Sequence, residues 1–338
     1  MASTKKIGPI ALSLSGGGAH GAWTVGALKN IWEEQHEDFR DMRIIYGTST
    51  GALISAMMGA VAVTGDPAYF DELENIYRNT KDGDILRPAY DDDKIPWGVL
   101  KPLLDAVLGD DQVLMHAALS LLSGESSVYD TAPLEDLAMR FMPDSVWKRV
   151  IRAGSRQRKP IDVGFCITSL QTGKSMMVTN RTHKDVDVLR RAMLASACEP
   201  VLMPPVDVFG DGQQWVDGGV RDINPWKYVL EAPAFRTIRT IMALSSQSSD
   251  ADPGDPEYTS LPQTLMRTLS MLISGVLQDD MDQLELLQHK SKFTKRVLHI
   301  QPSKPLVGDG LVFDPPAMRD EIRLGFRDAA TYFSDKEL

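Results

Sequence analysis

The chain has 338 residues, 43% of them hydrophobic and 24% charged, enough apolar material for a substantial core and too much for a disordered polymer. Thirty-six basic against 46 acidic residues give a net charge of −10, which repels nucleic-acid phosphates and provides no general attraction to anionic membranes. The two cysteines, Cys166 and Cys198, match neither a disulfide framework nor a metal-site spacing, so both are expected as buried thiols in a reducing compartment.

Lys5 and Lys6 followed by Ile7 to Leu14 imitate a signal peptide, but Gly8 and Pro9 break the run and it leads into Gly16, Gly17 and Gly18. A strand over 9–14 entering a glycine loop fits better, followed by a helix over 19–35 with a close-packing face of Ala19, Ala22, Trp23, Gly26 and Ala27. Ile44 to Gly65 then run 22 residues without a charge, about the length of a membrane span. Gly47-Thr48-Ser49-Thr50-Gly51 interrupts that run, leaving a strand over 42–46, a sharp turn and a buried helix over 51–63. Strand, glycine turn, helix, strand, turn, helix predicts an α/β fold: a mostly parallel sheet covered by helices in three layers.

Residues 79–130 break the pattern, with a polar loop from Lys81 to Asp84, the acidic Asp91 to Asp93, and apolar pieces at Trp97 to Leu108 and Val113 to Leu122. They read as an inserted helical cap. Ile161 to Ser169 and Met176 to Thr179 read as paired strands joined around Gly173, Val188 to Ala197 as a helix, and Val206 to Val216 as a hairpin turning at Gly210-Asp211-Gly212. Ile238 to Leu244 and Arg296 to Gln301 are further strands, with a surface loop from Ser245 to Pro262 between them. With no repeat and no long linker, 1–338 is expected as one domain whose 231–338 portion is a C-terminal extension.

Gly47 to Gly51 has the form G-x-S-x-G, which in a strand-turn-helix context lifts a serine hydroxyl, here that of Ser49, out of a tight turn. Ser15-Gly16-Gly17-Gly18-Ala19-His20-Gly21 also follows a strand and opens a helix, so that main-chain N–H groups converge on one anionic point. Gly16, Gly18 and Gly21 satisfy the dinucleotide fingerprint as well, but the acidic residue expected at the end of the second strand is missing: Asp41 precedes that strand and Tyr46 ends it. A third element, Trp215-Val216-Asp217-Gly218-Gly219, places an aspartate at a strand end in a turn that two glycines leave uncovered.

Together these residues resemble the patatin-like phospholipase family: Ser15 to Gly21 its oxyanion loop, Gly47 to Gly51 its nucleophile elbow, Asp217-Gly218-Gly219 its aspartate motif, and Leu194 to Val206 the stretch preceding it. The resemblance implies a phospholipase A or lysophospholipase type of acyl hydrolase using a Ser49–Asp217 dyad, without metal or organic cofactor. Ser49 would attack the ester carbonyl, Asp217 accept its proton, and the N–H groups of Gly17, Gly18, Ala19 and Thr50 hold the oxyanion. One departure is plain: His20 stands where the family usually has Arg or Lys.

Two rival readings stay open. One is an α/β-hydrolase with a triad of Ser49, Asp217 and either His289 or His299; the other is a non-catalytic lipid- or partner-binding module. Expected partners are a lipid or acyl-ester substrate and no nucleic acid, with peripheral membrane contact open through an apolar helical surface within Leu265 to Leu287 or a basic run of Lys148, Arg149, Arg152, Arg156, Arg158 and Lys159. Asp91 to Asp93 lacks the spacing of a calcium loop. The terminal Asp335-Lys336-Glu337-Leu338 is not an ER-retention sequence, so a cytoplasmic location is expected.

Overall fold

The computed structural model describes residues 7–34, 39–91, 93, 95–98, 100–101, 112–156, 158–248, 261–290, 293–306 and 310–335. Its strands are β1 (Ile10–Leu14), β2 (Met42–Gly47), β3 (Arg87–Pro88), β4 (Tyr129–Asp130), β5 (Asp162–Ser169), β6 (Ser175–Thr179), β7 (Trp215–Asp217), β8 (Thr240–Leu244) and β9 (Arg296–Ile300). The α-helices are α1 (Gly21–Glu34), α2 (Thr50–Thr64), α3 (Ala68–Asn79), α4 (Asp82–Ile85), α5 (Gln112–Ser123), α6 (Ala132–Phe141), α7 (Asp144–Gly154), α8 (Val186–Ser196), α9 (Trp226–Glu231), α10 (Leu261–Gln288) and α11 (Pro315–Asp335).

Seven strands form one sheet in the order β6-β5-β2-β1-β8-β9, with β7 paired to the last residues of β5, while β3 and β4 pair separately. β5, β2, β1, β8 and β9 are parallel, and β6 and β7 run antiparallel to β5. Every residue of β1, β2, β5 and β8 is buried, the mark of strands covered on both faces.

On one face, Ile10, Leu12 and Leu14 of β1 and Met242 and Leu244 of β8 join a core that includes Trp23 and Leu28 of α1 and Ile54 and Met58 of α2. On the other, Ala11, Ile44 and Ile241 pack with Val229 of α9, and Ala243 and Val297 pack with Leu277, Met281 and Leu284 of α10. The fold is therefore a three-layer α/β sandwich. α2 accounts for the long uncharged run: most of its residues are buried, as in a helix enclosed by protein on nearly all sides. No helix among the described residues is long and apolar enough to cross a membrane.

Several expectations shift. Residues 206–216 make a single bridge, Val206 to Trp215, and the carboxylate of Asp207 organises the turn by accepting N–H groups of Gly210, Asp211 and Gly212. From Trp215 the chain pairs instead with β5. Within 79–130 the described residues form α4, β3, α5 and β4, and the amides of Val128 and Tyr129 donate to the carbonyls of Val201 and Leu202 at 3.1 and 2.8 Å. Part of the Trp97 to Leu108 run lies outside the described residues, as does most of the loop expected from Ser245 to Pro262.

The sequence reading assigns nothing after Gln301, yet α11 packs along α1. Their backbones meet where neither helix has a side chain: a Cβ on Gly26 would lie 2.0 Å from the Ile322 carbonyl oxygen, and one on Gly325 would lie 2.0 Å from that of Trp23. Trp23 Nε1 donates to Asp328 Oδ2 at 2.8 Å beside this contact. Helix propensity alone would make Gly325→Ala stabilising by about 1 kcal/mol, whereas forcing a methyl against a backbone carbonyl costs about 1–3 kcal/mol. The steric term is expected to win, so the urea midpoint of Gly325→Ala falls below wild type; a rise would mean that the two helices do not touch there.

Candidate active site

The parallel register sets Leu14 of β1 beside Gly47 of β2, so the glycine loop that leaves β1 and the turn that leaves β2 emerge together at the carboxyl edge of the sheet. Thr48 fixes the turn, its N–H donating to the Leu14 carbonyl at 3.1 Å and its Oγ1 to the Asp222 carbonyl at 2.9 Å. Ser49 follows with φ 56° and ψ −129°, a left-handed conformation that a non-glycine residue adopts at a cost of about 1–3 kcal/mol. That backbone projects its side chain ahead of α2. Gly51 permits the geometry, since a Cβ there would lie 2.5 Å from the Leu14 carbonyl oxygen, and a Cβ on Gly47 would strike the Gly51 carbonyl.

Asp217 arrives on β7, paired with Ile167 of β5. Its amide donates to the Cys198 carbonyl at 2.9 Å, and its Oδ1 accepts the Gly219 N–H at 2.6 Å. The Ser49 side chain lies close enough to that carboxyl to stabilise its charged form. Ser49 is half-buried and Asp217 buried, so the hydroxyl lies nearer to solvent than the carboxyl behind it. Burial pushes the Asp217 carboxyl up to about 8; the charge of Glu199 adds to the rise, while the Ser49 side chain and the Gly219 hydrogen bond oppose it. Gly218 lies against the Cys166 carbonyl.

In the glycine loop, Gly16 lies against Ser49, where a Cβ would meet the Ser49 Cβ at 2.8 Å. The Gly16 carbonyl accepts from Ser15 Oγ and Ser246 Oγ, and in a trans peptide this turns the Gly17 N–H to the opposite side, away from Ser246. Among the described residues the N–H groups of Gly17 and Gly18 have no hydrogen-bond partner. Thr50 opens α2, where the first amides have no intrahelical acceptor. Its Oγ1 bonds the Tyr77 hydroxyl over the bare Cα of Gly21, and burial pushes that phenol up to about 12.

Ala19 departs from expectation. Its N–H donates to the Gly310 carbonyl at 2.6 Å, so this amide is spent on the C-terminal segment rather than left for an anion. His20 is drawn the same way: Nδ1 lies 2.8 Å from Glu321 Oε1 on α11, and the other oxygen of that carboxylate is buried with no partner among the described residues. Sequence reasoning also missed Ser196 and Ser246. The hydroxyl of Ser196 accepts the Ser49 N–H at 3.1 Å and donates to the Cys166 carbonyl at 2.6 Å. An approach of two buried serines to a glycine loop or an elbow from distant segments leaves no local sequence signal.

The triad histidines lie elsewhere. His299, on β9, is bonded through Nε2 to Ser245 Oγ at 3.1 Å, and β1 and β8 separate β9 from the serine's strand. His289 is exposed just beyond the C-terminus of α10. The basic residues Lys148, Arg149, Arg152, Arg156, Arg158 and Lys159 are exposed, and the run leads into the first residue of β5, whereas Ser49 follows the last residue of the parallel β2. On α10, Leu277 and Leu284 are core, Met271 and Leu272 are exposed, and the side chains of Leu265, Met266 and Leu269 lie outside the described residues. Both cysteines are buried and their thiols pushed up to about 12 by that burial. No cluster among the described residues is arranged to hold a metal ion.

Residues 12–230 match the patatin-like phospholipase family, and the chain belongs to it. Among solved structures it is similar to VipD from Legionella pneumophila and to the type III effector protein ExoU, in both cases at 14% identity and a TM-score of 0.43. The matches cover 96% and 98% of this chain but only 66% and 54% of those two, so it spans less than two thirds of either. No curated protein matches.

The raised carboxyl makes stability depend on pH. Because native Asp217 titrates at about 8 against an unfolded value near 3.8, the native state holds more protons than the unfolded state between these limits. In that window stability falls as pH rises, by at most about 1.4 kcal/mol per unit. Asp217→Asn removes this penalty. Urea unfolding at pH 5, 7 and 9 is expected to show the variant gaining on wild type with each step and levelling off above pH 8; a gap that stays constant would mean that the carboxyl is not held protonated.

Proposed function

We propose that the protein is a lipid acyl hydrolase of the phospholipase A or lysophospholipase type, cleaving carboxylic esters through an acyl-enzyme on Ser49 with Asp217 as general base. The observation that carries this reading is the juxtaposition of a serine held in a strained turn with a buried carboxyl whose charged form that serine stabilises, next to two glycine amides without a partner among the described residues. Membership of the patatin-like phospholipase family supports the substrate class.

Ser49 Oγ attacks the ester carbonyl as its proton passes to Asp217. Negative charge gathers on the carbonyl oxygen, where the Gly17 and Gly18 amides and the Thr50 amide at the start of α2 stabilise it; losing one such donor costs about 3 kcal/mol. The tetrahedral intermediate collapses, Asp217 returns the proton to the leaving alcohol, and acyl-Ser49 remains. Water then attacks the acyl group by the same route, giving free acid and regenerating both residues. No histidine takes part.

An aspartate in water is too weak a base for a serine hydroxyl, and burial corrects that by destabilising the carboxylate. The same burial leaves much of Asp217 protonated at neutral pH. Turnover at limiting substrate is therefore expected to rise with pH through an apparent value near 8. In this reading the chain forms one catalytic domain, with the segment after residue 231 supporting the glycine loop, and it meets membranes only peripherally.

A fluorophosphonate probe tests the reading without a choice of substrate. Wild type is expected to carry the adduct on Ser49 alone. Ser49→Ala and Asp217→Asn should each lose ester turnover by a thousandfold or more, while His299→Ala and His289→Ala stay close to wild type. Undiminished turnover by Asp217→Asn would eliminate the dyad, and loss of activity in either histidine variant would restore the triad.

A further inference from the structure

We propose that Ser196 is a positioning residue that sets the separation between Ser49 and Asp217, an inference that rests on the dyad reading above. α8 ends at Ser196, whose side chain is fully buried. Its hydroxyl uses both of its roles, accepting the Ser49 N–H at 3.1 Å and donating to the Cys166 carbonyl at 2.6 Å. Two residues on, the Cys198 carbonyl accepts the Asp217 N–H at 2.9 Å. Three consecutive residues thus hold the backbone of the nucleophile and the backbone of the base.

The third point of attachment is the strand between them. Cys166 lies on β5, which pairs with β2 below Ser49 through Gly47 and with β7 through Asp217 itself. Ser196 therefore ties the elbow to the one strand whose position already fixes Asp217. A left-handed serine persists only when its surroundings over-determine it, and the amide of Ser49 is otherwise without an intrahelical acceptor. With the hydroxyl removed, Ser49 can rotate its peptide and draw Oγ away from the carboxyl. Glu199 follows directly, so the same short stretch also carries the charge that helps keep Asp217 basic.

The test compares Ser196→Ala, Ser196→Cys and Ser196→Thr on a soluble acyl ester, with near-UV circular dichroism confirming the fold of each. Misplacing a reacting group by about 1 Å costs roughly 100-fold. Ser196→Ala should accordingly lose about 10- to 100-fold in kcat with KM little changed. The acid limb of its pH–rate profile should move to higher pH, because the Ser49 contact that holds the Asp217 carboxyl down has weakened. Ser196→Thr, which keeps the hydroxyl, should recover most of the rate. Ser196→Cys, of similar volume with a weak donor, should follow Ser196→Ala and serves if the alanine variant does not fold. Wild-type kcat in either hydroxyl-free variant, or a loss with an unmoved pH limb and no rescue by threonine, would overturn the proposal. Full activity of Ser49→Ala would show instead that the dyad itself is wrong.

Discussion

The parallel pairing that lays Leu14 beside Gly47 is the constraint on which the site depends. It brings two chain exits side by side at one edge of the sheet, a glycine loop from β1 and a serine turn from β2, with nothing bulkier than hydrogen at their closest points. The carbonyls of Leu14 and Ser15 lie 2.5 and 2.6 Å from where a side chain on Gly51 would begin. A strand order with another element between β1 and β2 would separate Ser49 from the amides of the glycine loop. β5, on the other flank of β2, then supplies the surface on which β7 delivers Asp217. The candidate site is thus assembled by strand adjacency, and the intervening helices act as spacers.

Within that frame the carboxyl of Asp217 presents a conflict between stability and reactivity. An isolated buried carboxylate is expensive, and native structures ordinarily pair it with a cation. Here its neighbours are a serine hydroxyl, one glycine amide and a second carboxylate, that of Glu199. A cation beside it would favour the charged form and leave a carboxylate with little appetite for a proton. The arrangement does without such a partner, which accords with the proposed role, since local rules of stability are broken chiefly at functional positions. The remainder of the core, with β1, β2, β5 and β8 wholly buried, is large enough to carry the cost.

The first half of the sandwich was legible because its signals are local. Apolar runs end in glycine clusters at 16–18 and 47–51, and each cluster is followed by small residues with helical spacing, so β1, α1, β2 and α2 fall within a residue or two of expectation. The placement of Ser49 in a strand-to-helix turn and of Asp217 at a strand end was legible for the same reason, since each is flanked by glycines. What escaped is what depends on distant partners. Ser196 meets Ser49 across 147 positions, Ser246 meets Gly16 across 230, and His20 meets Glu321 across 301. No periodicity announces such contacts, and α11 went unassigned although Pro315 and Pro316 stand at its start.

The end of the glycine loop shows how an unseen element alters the meaning of a legible motif. Read alone, Gly17 to Ala19 offers three consecutive amides to an anion. Once α11 is docked on α1, the segment that leads into it crosses the loop, and the Gly310 carbonyl takes the amide of Ala19 at 2.6 Å. The next side chain, His20, turns to Glu321 on the same helix. A guanidinium at that position would present a fork able to engage both oxygens of a carboxylate; the imidazole reaches one, and Glu321 Oε2 is left buried with no partner among the described residues. The departure at His20 therefore bears on how firmly the glycine loop is tied to the C-terminal helix. In the proposed mechanism the oxyanion is therefore left to Gly17 and Gly18, whose amides have no partner among the described residues.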